Sequence, residues 1–181
     1  MTKSLPNILS ILRILLVPFI LYLIIQNSFF IAFILCCFAS ISDMLDGFLA
    51  RKLNYETKLG FYLDVIADKF FIFSIYLIFG IKLLLPIYVI FCVISRDIFI
   101  SGSYILTILI RKNVNMKPTN ISKVNTFMQM LLIVTILLNL SDINISYFES
   151  NQIIVLLSNI VMFTTVTSFI LYIDYWFKEY F

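Results

Sequence analysis

Six apolar runs, each about 20 residues or longer, fill almost the whole chain, and each can cross the ~30 Å hydrocarbon core of a bilayer. They are Ile8–Ile25, Phe29–Arg51, Thr57–Ile81, Leu84–Ile110, Ile121–Leu140 and Gln152–Ile173. The connections between them are short, and only four Gly and four Pro are present in 181 residues, which leaves little room for long loops. The chain is 62% hydrophobic with mean hydropathy +1.05. That excess is spread along the chain, so it describes a polytopic membrane protein rather than an anchored soluble one. The expected fold is all-α and integral to the membrane, one domain over residues 1–181 with six transmembrane helices.

Lysine and arginine placement orients the bundle. Lys3, Arg51, Lys52, Lys58, Arg111, Lys112, Lys117, Lys123 and Lys178 fall on one side, and Lys82 alone falls on the other. By the positive-inside rule both termini are cytoplasmic. The first apolar run has no small-residue cleavage site and no Arg-rich transit segment before it. A retained helix in a bacterial cytoplasmic (inner) membrane is therefore expected. No nucleic-acid partner is expected.

Charges inside the runs carry the functional signal, because a carboxylate at the bilayer centre costs ~2.5–3.5 kcal/mol on insertion scales. Asp43 and Asp46 are spaced i, i+3; Asp64 and Asp68 are spaced i, i+4. Each pair shares one helix face. Two helices offering two carboxylates each make an oxygen cage of the kind Mg²⁺ or Mn²⁺ prefers. Gly47 and Gly60 flank the acids, where glycine in a helix costs ~1 kcal/mol against alanine; with Ala50 they let a ligand such as a nucleotide approach the backbone. Arg51 beside four metal-neutralised acids suits a diphosphate. The expected topology brings Arg13, Arg96, Asp97 and Lys123 toward the same cytoplasm-facing cavity, where they would bind an acceptor and its phosphate. Histidine is absent, which removes His-based acid–base chemistry, and Cys36, Cys37 and Cys92 lie in apolar runs without zinc spacing and read as packing residues.

The full pattern, Asp43-x-x-Asp46-Gly47-x-x-Ala50-Arg51, eight residues, then Gly60-x-x-x-Asp64-x-x-x-Asp68, resembles the complete motif of the CDP-alcohol phosphatidyltransferases. The resemblance implies six transmembrane helices, a homodimer and two divalent cations. It also implies that an alcohol attacks the diphosphate of a CDP-linked lipid and CMP leaves. By position, Asp43, Asp46, Asp64 and Asp68 would hold the metals, and Asp68 would also take the proton from the attacking hydroxyl. Gly47 and Gly60 would line the cytidine pocket, and Arg51 would face the diphosphate.

Pro6-Asn7-Ile8-Leu9-Ser10-x-x-Arg13 and Ala67-Asp68-Lys69 resemble the phosphatidylglycerophosphate synthase and cardiolipin synthase branches, although Val65 stands where those branches carry proline. Ser95-Arg96-Asp97 and the stretch from Lys117 to Gln129 are similar to the CDP-alcohol type of cardiolipin synthase. Tyr104 falls near the position of a further arginine in phosphatidylglycerophosphate synthases. A dianionic glycerol 3-phosphate should want more fixed cations than phosphatidylglycerol, which has one negative charge and two acyl chains. The expected reaction joins CDP-diacylglycerol to phosphatidylglycerol among membrane lipids, with glycerol 3-phosphate as the alternative acceptor. A cation transporter using the intramembrane acids is the competing class. Against it, the acids cluster toward one side, the outer halves of helices 2 and 3 carry no charge, and no inverted repeat of broken helices is visible.

Overall fold

The computed structural model describes residues 5–53, 58–110, 120–141 and 147–180. Within these, the side chains of residues 5–9, 43–53, 58–65, 104–110, 147–150, 175–177, 179 and 180 lie outside the description. The described residues form six helices: α1 (Leu5–Ile25), α2 (Phe29–Leu53), α3 (Lys58–Ile81), α4 (Ile87–Ile110), α5 (Asn120–Leu140) and α6 (Tyr147–Tyr180). No strand occurs among them. The apolar runs end where expected at Ile25, Ile81, Ile110 and Leu140. Other boundaries shift, by one to three residues in α1 to α5 and by more in α6. Helix α4 begins at Ile87 rather than Leu84, because Pro86 lacks an N–H and is placed just ahead of the first turn. Helix α6 has 34 residues, about 51 Å at 1.5 Å per residue, and runs well past the apolar run Gln152–Ile173 at both ends. At its far end Lys178 Nζ donates to Asp174 Oδ2 at 2.7 Å, an i, i+4 pair that extends the helix beyond its apolar part.

The chain runs up and down. Helix α1 packs on α2 and α3, α5 on α6 and α2, and α4 on α6 and α3. Buried side chains of α1, α2, α3, α4 and α5 meet in the core, among them Ile20, Ile24, Cys36, Phe71, Ile75, Phe79, Val93, Leu132 and Ile136. Cys36 is buried and Cys37 and Cys92 are half-buried, so they pack as small apolar groups. The outward faces carry large exposed apolar groups, such as Leu15, Phe19, Phe38, Ile87, Phe91, Phe127 and Phe163. Among the described residues, two stretches are long and apolar enough to cross a membrane, Asn120–Leu140 and Asn151–Asp174; Ser10–Ile25 and Phe29–Ser42 are apolar but shorter.

One end of the bundle is closed by capping. Helix α1 ends in a Schellman motif: Ser28 N–H donates to Leu23 O at 2.9 Å and Asn27 N–H to Ile24 O at 3.2 Å, with Asn27 left-handed at φ 59°. Helix α3 ends the same way, through Leu84 N–H to Phe79 O at 2.9 Å and Leu83 N–H to Gly80 O at 3.1 Å, with Leu83 at φ 56°. Lys82 joins the two turns. Its Nζ donates to Ile25 O at 3.0 Å and to Asn27 Oδ1, and lies 5.6 Å from the Phe29 ring centroid. Asn139 Nδ2 of α5 donates to Asn151 Oδ1 of α6 at 3.4 Å, and a groove of about 300 Å³ between Asn27–Ile31 and Leu140–Ser141 brings that hairpin to the same end. The last turns of α2 and α4 and the first turns of α3 and α5 therefore lie at the opposite end.

Candidate active site

At that opposite end, α2 is helical through Asp43 and Asp46, and α3 is helical through Gly60, Asp64 and Asp68 without a break at Val65. The helical backbone keeps each aspartate pair on one face, as its spacing requires. The side chains of Asp43, Asp46, Gly47, Ala50, Arg51, Gly60 and Asp64 lie outside the described residues. Asp68 is described and is half-buried.

The residue after it opens the best-defined part of the site. Lys69 Nζ of α3 donates to Asp97 Oδ1 of α4 at 3.1 Å, and the same oxygen accepts from Arg96 Nη1 at 2.5 Å. Arg96 Nη2 donates onward to Ser122 Oγ of α5 at 2.5 Å and to Ser168 Oγ of α6 at 2.6 Å. The guanidinium thus ties α4, α5 and α6, and Asp97 adds α3 through Lys69. Arg96 is 2% exposed, against 12% for Asp97 and 26% for Lys69. A charge so deep needs a counter-ion and hydrogen-bond acceptors together, and Asp97 with the two serines supplies both. Both Lys69 and Arg96 are engaged by Asp97; the alternative pairing of either with Asp68 is not among the ion pairs of the described residues.

Arg13 of α1 is also brought inside, 2% exposed, with Ser10 one turn earlier on the same face. Lys123 is exposed, whereas Asn125 and Gln129 on its helix are fully buried. The buried polar face of α5 therefore runs through Asn125 and Gln129 and leaves Lys123 at the surface. Asn125 Oδ1 accepts from Thr164 Oγ1 at 2.8 Å and Thr165 Oγ1 at 2.9 Å, a second α5–α6 tie below the first. Gln129 gives its backbone carbonyl to Tyr76 O–H at 3.4 Å, while both atoms of its side-chain amide are buried without a partner.

Helices α4 and α6 are joined further by Ser103 Oγ to Tyr172 O–H at 2.9 Å, and by an edge-to-face contact of Phe99 and Phe169 with centroids 5.1 Å apart. Ser168, Thr164 and Thr165 are the contributors that sequence reasoning missed. Small hydroxylated residues are ordinary in membrane helices, and only their arrival opposite Arg96 and Asn125 distinguishes them.

The sequence matches the CDP-alcohol phosphatidyltransferase family over residues 3–171. It is 36% identical over 147 residues to a CDP-diacylglycerol–glycerol-3-phosphate 3-phosphatidyltransferase of Aquifex aeolicus, covering 78% of this chain and 80% of that one. It is 36% identical over 146 residues to the human cardiolipin synthase (CMP-forming), covering 72% of this chain but 48% of the human protein. A CDP-diacylglycerol–glycerol-3-phosphate 3-phosphatidyltransferase of Wigglesworthia glossinidia brevipalpis is 35% identical over 147 residues, 76% of this chain and 78% of that one. With the motif on α2 and α3 and a match along nearly its whole length, the chain belongs to the CDP-alcohol phosphatidyltransferase family.

Proposed function

We propose that the protein is a phosphatidyltransferase that moves the phosphatidyl group of CDP-diacylglycerol to the hydroxyl of a phosphate-bearing lipid, releasing CMP. The observation that carries the class is the intact eight-residue motif on two successive helices of a chain matched to the family from residue 3 to 171. All six helices cross the membrane, with both termini and the motif at the cytoplasmic face. The nine-to-one distribution of lysine and arginine supports that orientation. The placement is a bacterial cytoplasmic membrane, with a second copy of the chain as partner.

Four carboxylates on paired helix faces are a donor set suited to hard divalent cations. Asp43, Asp46, Asp64 and Asp68 would hold two of them, Mg²⁺ or Mn²⁺. Ions held there would polarise the diphosphate and stabilise charge on departing CMP. The acceptor oxygen attacks the phosphorus that carries diacylglycerol, the bond from that phosphorus to the CMP oxygen breaks, and Asp68 takes the hydroxyl proton. Gly47, Ala50 and Gly60 leave room for the CDP moiety, and Arg51 faces its diphosphate. Arg13, Arg96 and Lys123 serve the acceptor phosphate, with Asp97 as the counter-ion of Arg96.

Phosphatidylglycerol is the acceptor favoured by the cation economy of the site. Lys69 and Arg96 share one carboxylate, which leaves one net positive charge among the three groups, a match for a monoanion rather than a dianion. Glycerol 3-phosphate is the second reading, supported by the similarity to the glycerol-3-phosphate 3-phosphatidyltransferases of Aquifex and Wigglesworthia. Purified protein with CDP-diacylglycerol and Mg²⁺ or Mn²⁺, offered each acceptor side by side, decides between them. Cardiolipin is the expected product, and phosphatidylglycerophosphate would reassign the acceptor. No CMP from either of these, or from serine or inositol phosphate, would overturn the enzyme class.

A further inference from the structure

The four-helix tie around Arg96 has an unused edge. A guanidinium meets phosphate side-on through Nε–H and the neighbouring Nη2–H, a geometry that lysine cannot reproduce. Here Nη2 is occupied by two serine hydroxyls, and Nε is buried with no partner. A buried donor left unmade is costly, and this one lies on the edge that a phosphate would take. The opposite nitrogen, Nη1, is held by Asp97, so the orientation of the edge is already set.

Ser168 behaves unlike other hydroxyls of the bundle. Ser40, Ser158 and Thr135 return their protons to the carbonyl one turn back, at 2.8, 2.7 and 2.8 Å. That is the ordinary habit of serine and threonine within a helix. Ser168 is 1% exposed, yet its hydroxyl meets Arg96 and, among the described residues, nothing else. Its oxygen accepts from Nη2 and its proton remains to be given.

We propose that Ser168, with Ser122, belongs to the acceptor-phosphate subsite. The two hydroxyl oxygens occupy Arg96 Nη2 as stand-ins for phosphate oxygens until a phosphate-bearing alcohol arrives. An incoming phosphate takes Nε–H with one oxygen and Nη2–H with a second, displacing one serine from the guanidinium. Ser168 then turns its O–H proton to the phosphate. Helix α6, which carries none of the motif residues, thereby takes part in acceptor recognition. This inference rests on the acceptor carrying a phosphate, which phosphatidylglycerol and glycerol 3-phosphate share.

The test measures KM for the acceptor and for CDP-diacylglycerol separately, in wild type, S168A, S122A and S122T, all checked for a monodisperse folded state in detergent. Loss of a hydrogen bond to a charged group predicts an acceptor KM raised by about tenfold in S168A, with KM for CDP-diacylglycerol unchanged. S122A should rise similarly and S122T, which keeps the hydroxyl, should restore most of the wild-type value. An unchanged or lower acceptor KM in both alanine variants, or equal changes in both substrate constants, overturns the inference and leaves the proposed reaction standing. If wild type releases no CMP with either acceptor, the proposed reaction falls instead. The subsite is then judged by thermal stabilisation with glycerol 3-phosphate, present in wild type and lost in S168A; no stabilisation in wild type overturns it. If S168A does not fold, S122A and S122T carry the same comparison.

Discussion

Replacing Asp97 with alanine removes the one carboxylate oxygen on which Lys69 and Arg96 converge, and the two cations do not suffer equally. Arg96 is 2% exposed and sits 2.5 Å from that oxygen. Ser122 and Ser168 can go on accepting its hydrogens, but they cannot neutralise its charge. Stripping one partner from a buried ion pair costs about 3–5 kcal/mol, because the remaining charge is still out of water. Lys69 is 26% exposed, with a longer bond of 3.1 Å. Its flexible stem can carry the ammonium toward solvent, so its share is closer to the ~0–1 kcal/mol of exposed pairs. Asp97→Ala should therefore lose about 3–5 kcal/mol, nearly all through Arg96. Reversible unfolding in mixed micelles, followed by circular dichroism, reads the difference. The double variant Arg96→Met/Asp97→Ala removes the stranded charge with its partner and should regain most of the loss, since apolar replacement of a buried pair is often neutral or stabilising. Lys69→Ala alone should cost under about 1 kcal/mol. If the double variant is no more stable than Asp97→Ala, the loss does not come from a stranded arginine and the reasoning fails.

Other changes separate fold from chemistry. Leu83 is a leucine in the left-handed conformation that closes α3, so Leu83→Asn should raise stability by about 1 kcal/mol; thermal melts showing a loss would contradict that cap. Gln129→Met replaces a fully buried amide whose two polar atoms lack partners, and a gain of about 1–3 kcal/mol is expected in the same micelle unfolding. Asp68→Asn should abolish CMP release while the melting temperature stays near wild type, and retained turnover would remove Asp68 from the base role. Chelation by EDTA should stop the reaction and Mg²⁺ or Mn²⁺ should restore it; full activity in excess EDTA would refute the four-carboxylate metal site.

The helices were legible because lipid-spanning runs must be long, apolar and continuous, and their ends at Ile25, Ile81, Ile110 and Leu140 follow from composition alone. The start of α4 was missed by three residues because Leu84 and Leu85 count as apolar although the chain is turning there toward Pro86. The length of α6 was missed because hydropathy stops at polar residues, whereas a helix continues as long as its backbone bonds do, here through Asp174 and Lys178. Arg13 and Arg96 were expected inside the bundle and are buried there. Lys123, expected in the same cavity, is exposed, whereas Asn125 and Gln129 of the same helix are buried. Pairing is what one chain's sequence could not supply. Lys69 could have faced Asp68, its own neighbour; that it reaches Asp97 instead depends on how α3 and α4 meet. Ser168 lies 72 residues from Arg96 in sequence and carries no local signal at all.

Why these polar ties should coincide with the site follows from the solvent. Between helices in lipid there is little hydrophobic drive to associate, because the tails are as apolar as leucine; packing and interhelical hydrogen bonds must choose the partners. At the capped end, Lys82 ties the turns that close α1 and α3, and the Asn139–Asn151 bond ties α5 to α6. At the motif end, Arg96 with Asp97 does it for α3, α4, α5 and α6 at once, and the guanidinium presents the edge suited to a phosphate. A bundle built this way cannot place its acceptor arginine without also deciding how α6 docks. Substitutions at Arg96 or Asp97 will change stability and turnover together. Ser122 and Ser168, which meet the guanidinium at Nη2 and not at the nitrogen held by Asp97, are the positions where acceptor recognition can be altered with the charge pair left in place.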